Sequence, residues 1–268
     1  MTTPSAADDT GPEALRLLCL DAARQAGELL QQMRRAGDVD VTATKTTATD
    51  IVTNADSAAE HLLRSILLGA RAGDAWLGEE TGSSTGQARD GQVRWIVDPI
   101  DGTVNYLFGL PGWAVSVAAE LAGEVVAGAV VIPTLREEFS AAHHGVARCN
   151  DEPLTASSGD RLEQALVATG FSYDANVRRR QGQVVAHLLP LVRDIRRLGA
   201  ASVDLCSVAA GRVDAYYETG LQPWDRAAGA LIARRAGATV TESARGDVVA
   251  AGPKLFEVFT RTLREAGA

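Results

Sequence analysis

The sequence predicts an α+β (α/β layered) fold, in which layers of helices alternate with mixed β-sheets. Amphipathic helical segments alternate along the chain with short apolar runs that are typical of strands. Two long apolar runs, residues 113–120 and 124–132, are joined at Ala122-Gly123 and indicate an antiparallel hairpin. Hydrophobic residues make up 46% of the 268 residues, which is enough for a sizeable core.

The first half of the chain alternates helix and strand. Leu15, Leu18 and Ala22 recur at the spacing of a helix that begins at Pro12, where proline suits the first turn. The predicted elements are a helix over 12–36, a β-branched stretch over 45–53, a helix from its N-cap Asn54 to Gly69, a strand over 76–80, a loop over 81–92, a strand from 95 that Pro99 ends, the hairpin, and short strands over 139–142 and 145–148.

The second half begins after a passage over residues 153–160. Val213, Ala215 and Tyr217 alternate with polar positions, which predicts a strand that ends at Glu218. The other predicted elements are strands over 166–170, 195–198 and 238–241, and helices over 178–192, 199–211, 223–237 and 255–263. We therefore expect a disordered tail over 1–11, an N-terminal α+β half over 12–152 and a C-terminal α/β half over 153–268.

Charge and cysteine usage exclude several classes of protein. Asp plus Glu number 34 against 26 Lys plus Arg, and this net charge of −8 argues against direct nucleic-acid binding. Three cysteines are scattered, and the adjacent His143 and His144 would face opposite ways on a strand, so no disulfide framework or zinc site is expected. The chain begins without the features of a signal peptide, and its longest apolar stretch is interrupted by two glutamates. We expect a cytoplasmic protein without membrane contact.

A motif after the strand at 95–97 suggests the chemistry. Asp98 and Asp101 stand close together, and two carboxylates this close raise each other's pKa unless a cation lies between them. Hard oxygen donors suit Mg²⁺, Mn²⁺ or Ca²⁺. The backbone N–H groups of Gly102 and Thr103 would face an anion, and a cation beside an anion cradle indicates a phosphate ester. The alternative is a turn in which the two acids only cap the backbone and face solvent.

Five acids stand at the ends of predicted elements: Asp56, Glu79, Asp98, Asp101 and Asp225. Three of them follow apolar strands, where ligand sites gather, and the other two lie in the first turns of helices. Each one alone is also explained as a helix cap or a solvated charge. Their combination with the motif favours one shared site.

These segments resemble the motifs of the inositol monophosphatase family, whose members are metal-dependent, lithium-sensitive phosphatases. The matching segments are WIVDPIDGT at residues 95–103, WDRAAGA at 224–230, GEE at 78–80 and DIVTNAD at 50–56. The resemblance covers residues 13–265. It implies a sugar-phosphatase-type fold with α-β-α-β-α layers and two or three Mg²⁺ ions per active site, with Mn²⁺ possible.

The resemblance also implies a role for each matching residue. Asp56 and Thr103 match the pair that orients and activates the attacking water, and Lys45 matches a lysine upstream of the site. The implied catalytic residues are Asp56, Thr103 and Glu79; the metal ligands are Glu79, Asp98, Ile100 through its carbonyl, Asp101 and Asp225; and the substrate-binding residues are Asp101, Gly102, Thr103, Gly199, Ala200, Glu218 and Asp225.

Two segments depart from the family pattern. Family members often carry an acid where this chain has Arg234-Arg235, and an apolar pair is usual where it has Arg148-Cys149. Neither departure involves a predicted metal ligand, so each concerns the choice of substrate and not the type of reaction.

The resemblance implies Mg²⁺-dependent hydrolysis of a small phosphate monoester, with inositol 1-phosphate as the expected substrate. Histidinol phosphate, fructose 1,6-bisphosphate and phosphoadenosine phosphate are the alternatives within the family. A different class of function is that of a protein partner of the transcription machinery, which the net charge does not exclude. Because the family is usually dimeric, we expect a homodimer.

Overall fold

The computed structural model describes residues 11–45, 51–83 and 91–268. In these residues there are seven α-helices, of which the first packs along the large sheet. They are α1 (Pro12–Ala36), α2 (Asn54–Ala70), α3 (Thr103–Phe108), α4 (Ala175–Leu188), α5 (Ala201–Ala209), α6 (Pro223–Arg235) and α7 (Phe256–Glu265). None of these helices is both long and apolar enough to span a lipid bilayer.

The largest sheet has eight strands, with one parallel pair, β3 and β5, among antiparallel neighbours. In spatial order its strands are β10 (Glu152–Pro153), β9 (Arg148–Cys149), β8 (Glu137–Ala142), β7 (Glu124–Ile132), β6 (Ala114–Leu121), β5 (Val93–Asp101), β3 (Ala75–Gly78) and β4 (Gly82–Ser83). The pair β6 and β7 is the antiparallel hairpin that the sequence predicted.

A five-stranded sheet forms the second half of the fold. Its order is β12 (Asp194–Arg196), β11 (Leu166–Thr169), β13 (Ala215–Glu218), β15 (Val248–Ala251) and β14 (Thr239–Glu242). Strand β11 runs parallel to both its neighbours, whereas β15 pairs antiparallel with both of its own. A separate antiparallel pair joins β1 (Val41–Thr44) to β2 (Ile51–Thr53).

Three buried clusters explain the layering. Because successive side chains of a strand face opposite ways, Val115 and Val117 of β6 pack under α1 and α2, whereas Ala114 and Ala118 pack against α5 and α6. The helices α5 and α6 thus lie between the two sheets, and α4 and α7 cover the outer face of the smaller sheet. The predicted α-β-α-β-α order of layers is confirmed.

Helix α2 begins and ends differently from the prediction. Its N-cap is Thr53 and not Asn54, because Thr53 and Asp56 form a reciprocal capping box. The side chain of Asn54 instead accepts a hydrogen bond from the backbone of Asp40 at 2.9 Å. The helix also continues one residue past Gly69, where the sequence predicted its end.

The strand that carries the motif is longer than predicted. Pro99 does not end it, since β5 continues to Asp101, whose ladder partner is Ala114. The register shifts between Asp98 and Asp101, and this irregularity accommodates the missing N–H of the proline. The short helix α3 follows at once, and the sequence did not predict it.

Other differences are local. The strand predicted at 145–148 is instead β9, and the helix predicted at 178–192 starts at Ala175 and ends at Leu188. The strands β1, β10 and β15 were not predicted, and β4 lies inside the predicted loop. The predicted tail over 1–10, residues 46–50 of the β-branched stretch and residues 84–90 of the loop lie outside the described residues.

Candidate active site

Most of the predicted site residues line one cavity of about 140 Å³ at the end of β5. Its walls come from both sheets and from the first turns of α3, α5 and α6. The predicted residues that line it are Glu79, Asp98, Ile100, Asp101, Gly102, Thr103, Gly199, Ala200, Glu218 and Asp225. Asp56 does not line this cavity and lies behind Thr103.

The turn between β5 and α3 fixes the backbone of the motif. The side chain of Asp98 accepts a hydrogen bond from the N–H of Ile100 at 3.0 Å, which fixes the backbone around Pro99. Gly102 has a φ of 87°, a left-handed conformation that disfavours any residue with a Cβ. A Cβ at this position would also lie 3.2 Å from the carbonyl oxygen of Gly199. Glycine therefore allows the two segments to meet at the cavity.

Asp101 connects the motif to α5. Its Oδ2 accepts a hydrogen bond from the N–H of Ser202 at 2.6 Å, in the first turn of that helix. Burial raises the pKa of Asp101 to about 6, although the bond from Ser202 acts in the opposite direction. The helix dipole and this N–H therefore favour the ionised carboxylate that burial disfavours.

Asp56 and Thr103, which the family resemblance predicted to activate the attacking water, lie in contact. The Thr103 hydroxyl lies 3.3 Å from Oδ1 of Asp56 and 3.0 Å from the carbonyl oxygen of Ile100. A hydroxyl has one proton, so it donates to one of these two acceptors at a time. The other oxygen of Asp56 accepts hydrogen bonds from the N–H and hydroxyl of Thr53, at 2.8 and 2.6 Å. Burial raises the pKa of Asp56 to about 6.

Three further carboxyl groups, Glu79, Asp98 and Asp225, crowd one another. Burial raises the pKa of Asp98 well above its ordinary value, and the charges of Glu79, Asp101 and Asp225 raise it further. Burial also raises the pKa of Asp225. Its Oδ2 accepts a hydrogen bond of 2.6 Å from the backbone N–H of Gln222. Burial raises the pKa of Glu79 as well, although the charge of Lys45 acts in the opposite direction.

Few cations balance these acids. Lys45 Nζ lies 2.7 Å from Glu79 Oε1 and 2.6 Å from Glu80 Oε1, and Arg197 is the other cation at the cavity. Burial lowers the pKa of Lys45, but the carboxylates of Glu79 and Glu80 together outweigh it and the net shift is upward. Acids therefore outnumber cations among the residues described at this cavity.

The donor set fits a hard divalent cation by its chemistry. Acids from the end of β3, from β5 and from α6 line the cavity together with Ile100, and carboxylate and carbonyl oxygens are the ligands that Mg²⁺ prefers. The mutual raising of pKa values shows a deficit of positive charge that bound cations would remove. In the described part of the chain, no three His, Cys, Asp or Glu side chains already stand in coordination geometry. The ligand set therefore stays a prediction. In the structure, Glu79 is bound to Lys45.

Glu218 closes the far side of the cavity. The hydroxyl of Tyr216 donates to its Oε2 at 2.8 Å, and burial raises the pKa of Glu218 to about 7. The carboxylate packs directly against Gly170, where a Cβ would have no room. Glu218 is thus held rigidly at the cavity wall.

One buried acid near the cavity was missed by the sequence analysis. Asp204 of α5 is 1% exposed, and neither of its carboxylate oxygens has a hydrogen-bond partner in the described residues. Burial raises its pKa well above the ordinary value, and the nearby charges of Glu218 and Asp101 add to the shift. An acid between Val203 and Leu205, in an otherwise apolar helix, was the signal available in the sequence.

Comparisons with known proteins agree with the fold and with the motifs. The chain matches the model of the inositol monophosphatase family over residues 13–266. It is 44% identical to the inositol-1-monophosphatase of Mycobacterium bovis, with 98% of this chain and 97% of the relative covered. It is 37% identical to the Nus factor SuhB of Pseudomonas aeruginosa, with 92% and 94% covered.

Solved structures resemble the whole chain. The structure of Mycobacterium tuberculosis SuhB has a TM-score of 0.83 at 40% identity, over 96% of this chain and 98% of that one. The suhB protein of Bartonella henselae has a TM-score of 0.86 at 34% identity, over 94% and 99%.

Proposed function

This chain belongs to the inositol monophosphatase family, and from that premise we propose that it is a Mg²⁺-dependent phosphatase of inositol 1-phosphate. Members of this family are phosphoric monoester hydrolases, so the chain is an enzyme of that class. The observation that carries the finer proposal is the convergence of Glu79, Asp98, Asp101 and Asp225 on one cavity beside Thr103.

The proposed cation ligands are Glu79, Asp98, Asp101, Asp225 and the carbonyl of Ile100. Bound Mg²⁺ supplies positive charge that activates a water and stabilises the leaving oxygen, and Mn²⁺ suits the same oxygen ligands. Lys45 is bound to Glu79 in the structure, and we expect that contact to loosen as cations take up the negative charge.

The chain's own residues would then perform the proton transfer. The Thr103 hydroxyl accepts a hydrogen bond from the attacking water and donates its own proton to Oδ1 of Asp56, 3.3 Å away. The water oxygen bonds to phosphorus, the bond from phosphorus to the inositol oxygen breaks, and that oxygen takes a proton from solvent. With a pKa of about 6, Asp56 is largely ionised at neutral pH and can accept this proton.

Substrate recognition is proposed to come from the backbone that follows Asp101, from Glu218 and from the segment at Gly199. The N–H groups of Gly102 and Thr103 would hold phosphate oxygens, and Glu218 would accept hydrogen bonds from sugar hydroxyls. The backbone of Gly199 and Ala200 lines the same cavity. Histidinol phosphate, fructose 1,6-bisphosphate and phosphoadenosine phosphate are the alternative substrates, because the phosphate-binding residues alone do not separate them.

The test compares substrates and one variant. We expect phosphate release with Mg²⁺ to be faster from inositol 1-phosphate than from the three alternatives at equal concentrations. Asp98→Asn should reduce turnover by more than about a hundredfold, since even outer-shell partners of a metal cost 10–100-fold. Asp21→Asn, at an exposed position on α1, is the matched control and should leave turnover unchanged. Faster phosphate release from histidinol phosphate would overturn the proposed substrate. Turnover by Asp98→Asn at the wild-type rate would overturn the proposed metal site.

A second candidate function rests on the relatives named Nus factor SuhB, which are up to 37% identical to this chain. We propose, as the alternative, that the protein is a partner of the transcription machinery and that catalysis is not essential to that role. Equal complementation of a deletion strain by wild type and Asp98→Asn would favour this alternative, whereas complementation by wild type alone would favour catalysis. For either role we propose a cytoplasmic homodimer, which sedimentation at several concentrations would test.

A further inference from the structure

Helix α2 carries two buried acids on one face, and the sequence analysis assigned a role to only one of them. Asp56 contacts Thr103 at the candidate active site, and Glu60 follows it by one helical turn, a spacing at which two side chains share a face. Each acid is 1% exposed. Glu60 is not among the described residues that line the cavity. The burial of this charged side chain must therefore be explained by its own partners.

The partners of Glu60 are the donors of the turn between β3 and β4. Its Oε2 accepts a hydrogen bond from the backbone N–H of Glu80 at 2.8 Å, and its Oε1 accepts one from the backbone N–H of Thr81 at 3.0 Å. The hydroxyl of Thr81 donates to the same Oε1 and accepts a hydrogen bond from the indole N–H of Trp76 at 3.1 Å. One carboxylate thus binds three donors of the turn.

Gly78 leaves the space that this carboxylate occupies. A Cβ at residue 78 would overlap Oε1 of Glu60 and would lie 2.6 Å from the indole nitrogen of Trp76. Because buried atoms are closely packed, a side chain at this position would displace the carboxylate from the turn. The glycine that begins the segment GEE at 78–80 therefore allows α2 to reach the turn.

The same turn presents Glu79 to the cavity. The backbone N–H of Glu79 donates to the carbonyl oxygen of Val97 on β5 at 3.1 Å, one residue before Asp98. The residue after Glu79 is bound by Glu60 through its backbone N–H. The backbone of Glu79 is thus attached on one side to the strand of Asp98 and on the other side to the helix of Asp56.

Lys45 also binds this turn, but through different groups. Its Nζ lies 2.7 Å from the carboxylate of Glu79 and 2.6 Å from that of Glu80, so it would compete with a cation for both side chains. Glu60 binds only the backbone of Glu80 and of Thr81, together with the Thr81 hydroxyl. Its contacts therefore leave the side chain of Glu79 available for a cation.

We propose that Glu60 is a positioning residue for the proposed cation site, which sets the place of the Glu79 carboxylate relative to Asp98 by binding the backbone of residues 80–81. The inference rests on the proposed function and deepens it. Hydrogen-bonded partners that orient metal ligands typically contribute 10–100-fold to metal affinity. The loss of Glu60 should therefore weaken Mg²⁺ binding.

The test measures Mg²⁺ affinity by calorimetric titration of the full-length wild type, Glu60→Gln and Asp214→Asn. Glutamine keeps the length of the side chain, but its amide nitrogen accepts no hydrogen bond, so one donor of the turn loses its acceptor. Asp214 is the matched control, because its carboxylate also accepts a hydroxyl and a backbone N–H, from Ser157 and Leu166, and it does not line the cavity. We expect Glu60→Gln to weaken Mg²⁺ binding by at least about tenfold and Asp214→Asn by less than about twofold.

Amide hydrogen exchange of the metal-free proteins gives a second readout. The backbone N–H groups of Glu80 and Thr81 should exchange at least about tenfold faster in Glu60→Gln than in the wild type, because hydrogen bonds to a charged acceptor are lost locally. Asp214→Asn should leave the exchange of both groups unchanged. Equal exchange in the wild type and in Glu60→Gln would overturn the inference.

The titrations separate the inference from the proposed function. Equal Mg²⁺ affinity of the wild type and Glu60→Gln, or equal weakening by Glu60→Gln and Asp214→Asn, would overturn the inference alone. A wild type without saturable Mg²⁺ binding would overturn the proposed metal dependence, and the role of Glu60 in it as well.

A second pair of variants serves if Glu60→Gln fails to fold. Thr81→Val removes the hydroxyl that donates to Glu60, and Thr81→Ser keeps it. Thr81→Val should weaken Mg²⁺ binding by roughly threefold relative to Thr81→Ser, which should bind like the wild type. Equal affinity of the two variants would overturn the inference.

Discussion

At the scale of single residues, the candidate catalytic cavity contains several acids whose pKa values are raised by burial. Burial raises the pKa of Glu218 to about 7 and the pKa of Asp101 to about 6. A group with a raised pKa in the folded chain binds its proton more tightly there than in the unfolded chain. Its stabilising contribution is therefore present at low pH and is lost as the pH rises through the folded pKa.

Glu218 allows this linkage to be measured. Between its ordinary pKa of 4.5 and about 7, the metal-free wild type should lose on the order of 3 kcal/mol of unfolding free energy relative to Glu218→Gln. Urea unfolding of both proteins at several pH values, with chelator present, gives that difference. Glu257→Gln, at an exposed position on α7, is the control. A difference that stays constant from pH 4.5 to 8 would contradict the raised pKa.

Residue types predicted some of the site and missed other parts of it. The spacing of Asp98, Asp101 and Thr103 predicted the turn because the three residues are local in sequence. Asp204 was not predicted, because the signal of an acid in an apolar helix becomes informative only when the packing around it is known. The bond from Ser202 to Asp101 likewise joins residues a hundred positions apart, which no periodicity reports.

At the scale of elements, the close approach of α5 and α6 positions two walls of the cavity. Gly229 of α6 faces Leu205 of α5, where an added Cβ would lie 2.8 Å from the Cβ of Leu205. This contact holds together the N-terminal turns that present Ser202 and Asp225. The two helices are packed through a glycine because a larger residue would separate them.

Gly229→Ala should therefore be destabilising although alanine favours helices. We expect a loss of roughly 1–3 kcal/mol from overpacking, and a lower kcat as Asp225 shifts. Gly182→Ala is the control, because no described heavy atom lies within 4 Å of the added Cβ on α4, and it should stabilise by about 0.5–1 kcal/mol. Chemical denaturation measures both. A neutral or stabilising Gly229→Ala would show that the helices are not in tight contact.

Element prediction failed where the pattern was short. Helix α3 has only six residues, too few to show a helical period, and the four residues of β15 are all apolar and show no alternation. Pro99 was predicted to end β5, but a bulge absorbs it, and such irregularities depend on the neighbouring strand. The long amphipathic helix α1 was predicted with its exact bounds because its period repeats over many turns.

At the scale of the whole molecule, the cavity requires both halves of the chain. Strands of the eight-stranded sheet bring Glu79, Asp98 and Asp101, and the region of the five-stranded sheet brings Glu218 and Asp225. We retain the division into residues 12–152 and 153–268 as a proposal. Bringing so many acids together opposes folding, so a bound cation should stabilise the assembled molecule more than either half alone.

Mg²⁺ should accordingly raise the melting temperature of the wild type. At a hundred times its dissociation constant, a ligand specific to the folded state adds about 2.7 kcal/mol. Asp98→Asn should lose most of this shift and yet be at least as stable as wild type without metal, because it removes an ionisable group that is buried among three other acids. Scanning calorimetry with and without Mg²⁺ separates the two effects. An equal Mg²⁺ shift in wild type and Asp98→Asn would contradict the ligand assignment.

The most direct measurement is anomalous scattering from a crystal soaked in Mn²⁺ and inorganic phosphate. The account predicts Mn²⁺ peaks within coordination distance of the carboxylates of Asp98, Asp101 and Asp225, with a phosphate oxygen beside Thr103. Peaks elsewhere, or none between these three carboxylates at full soaking concentration, would contradict it.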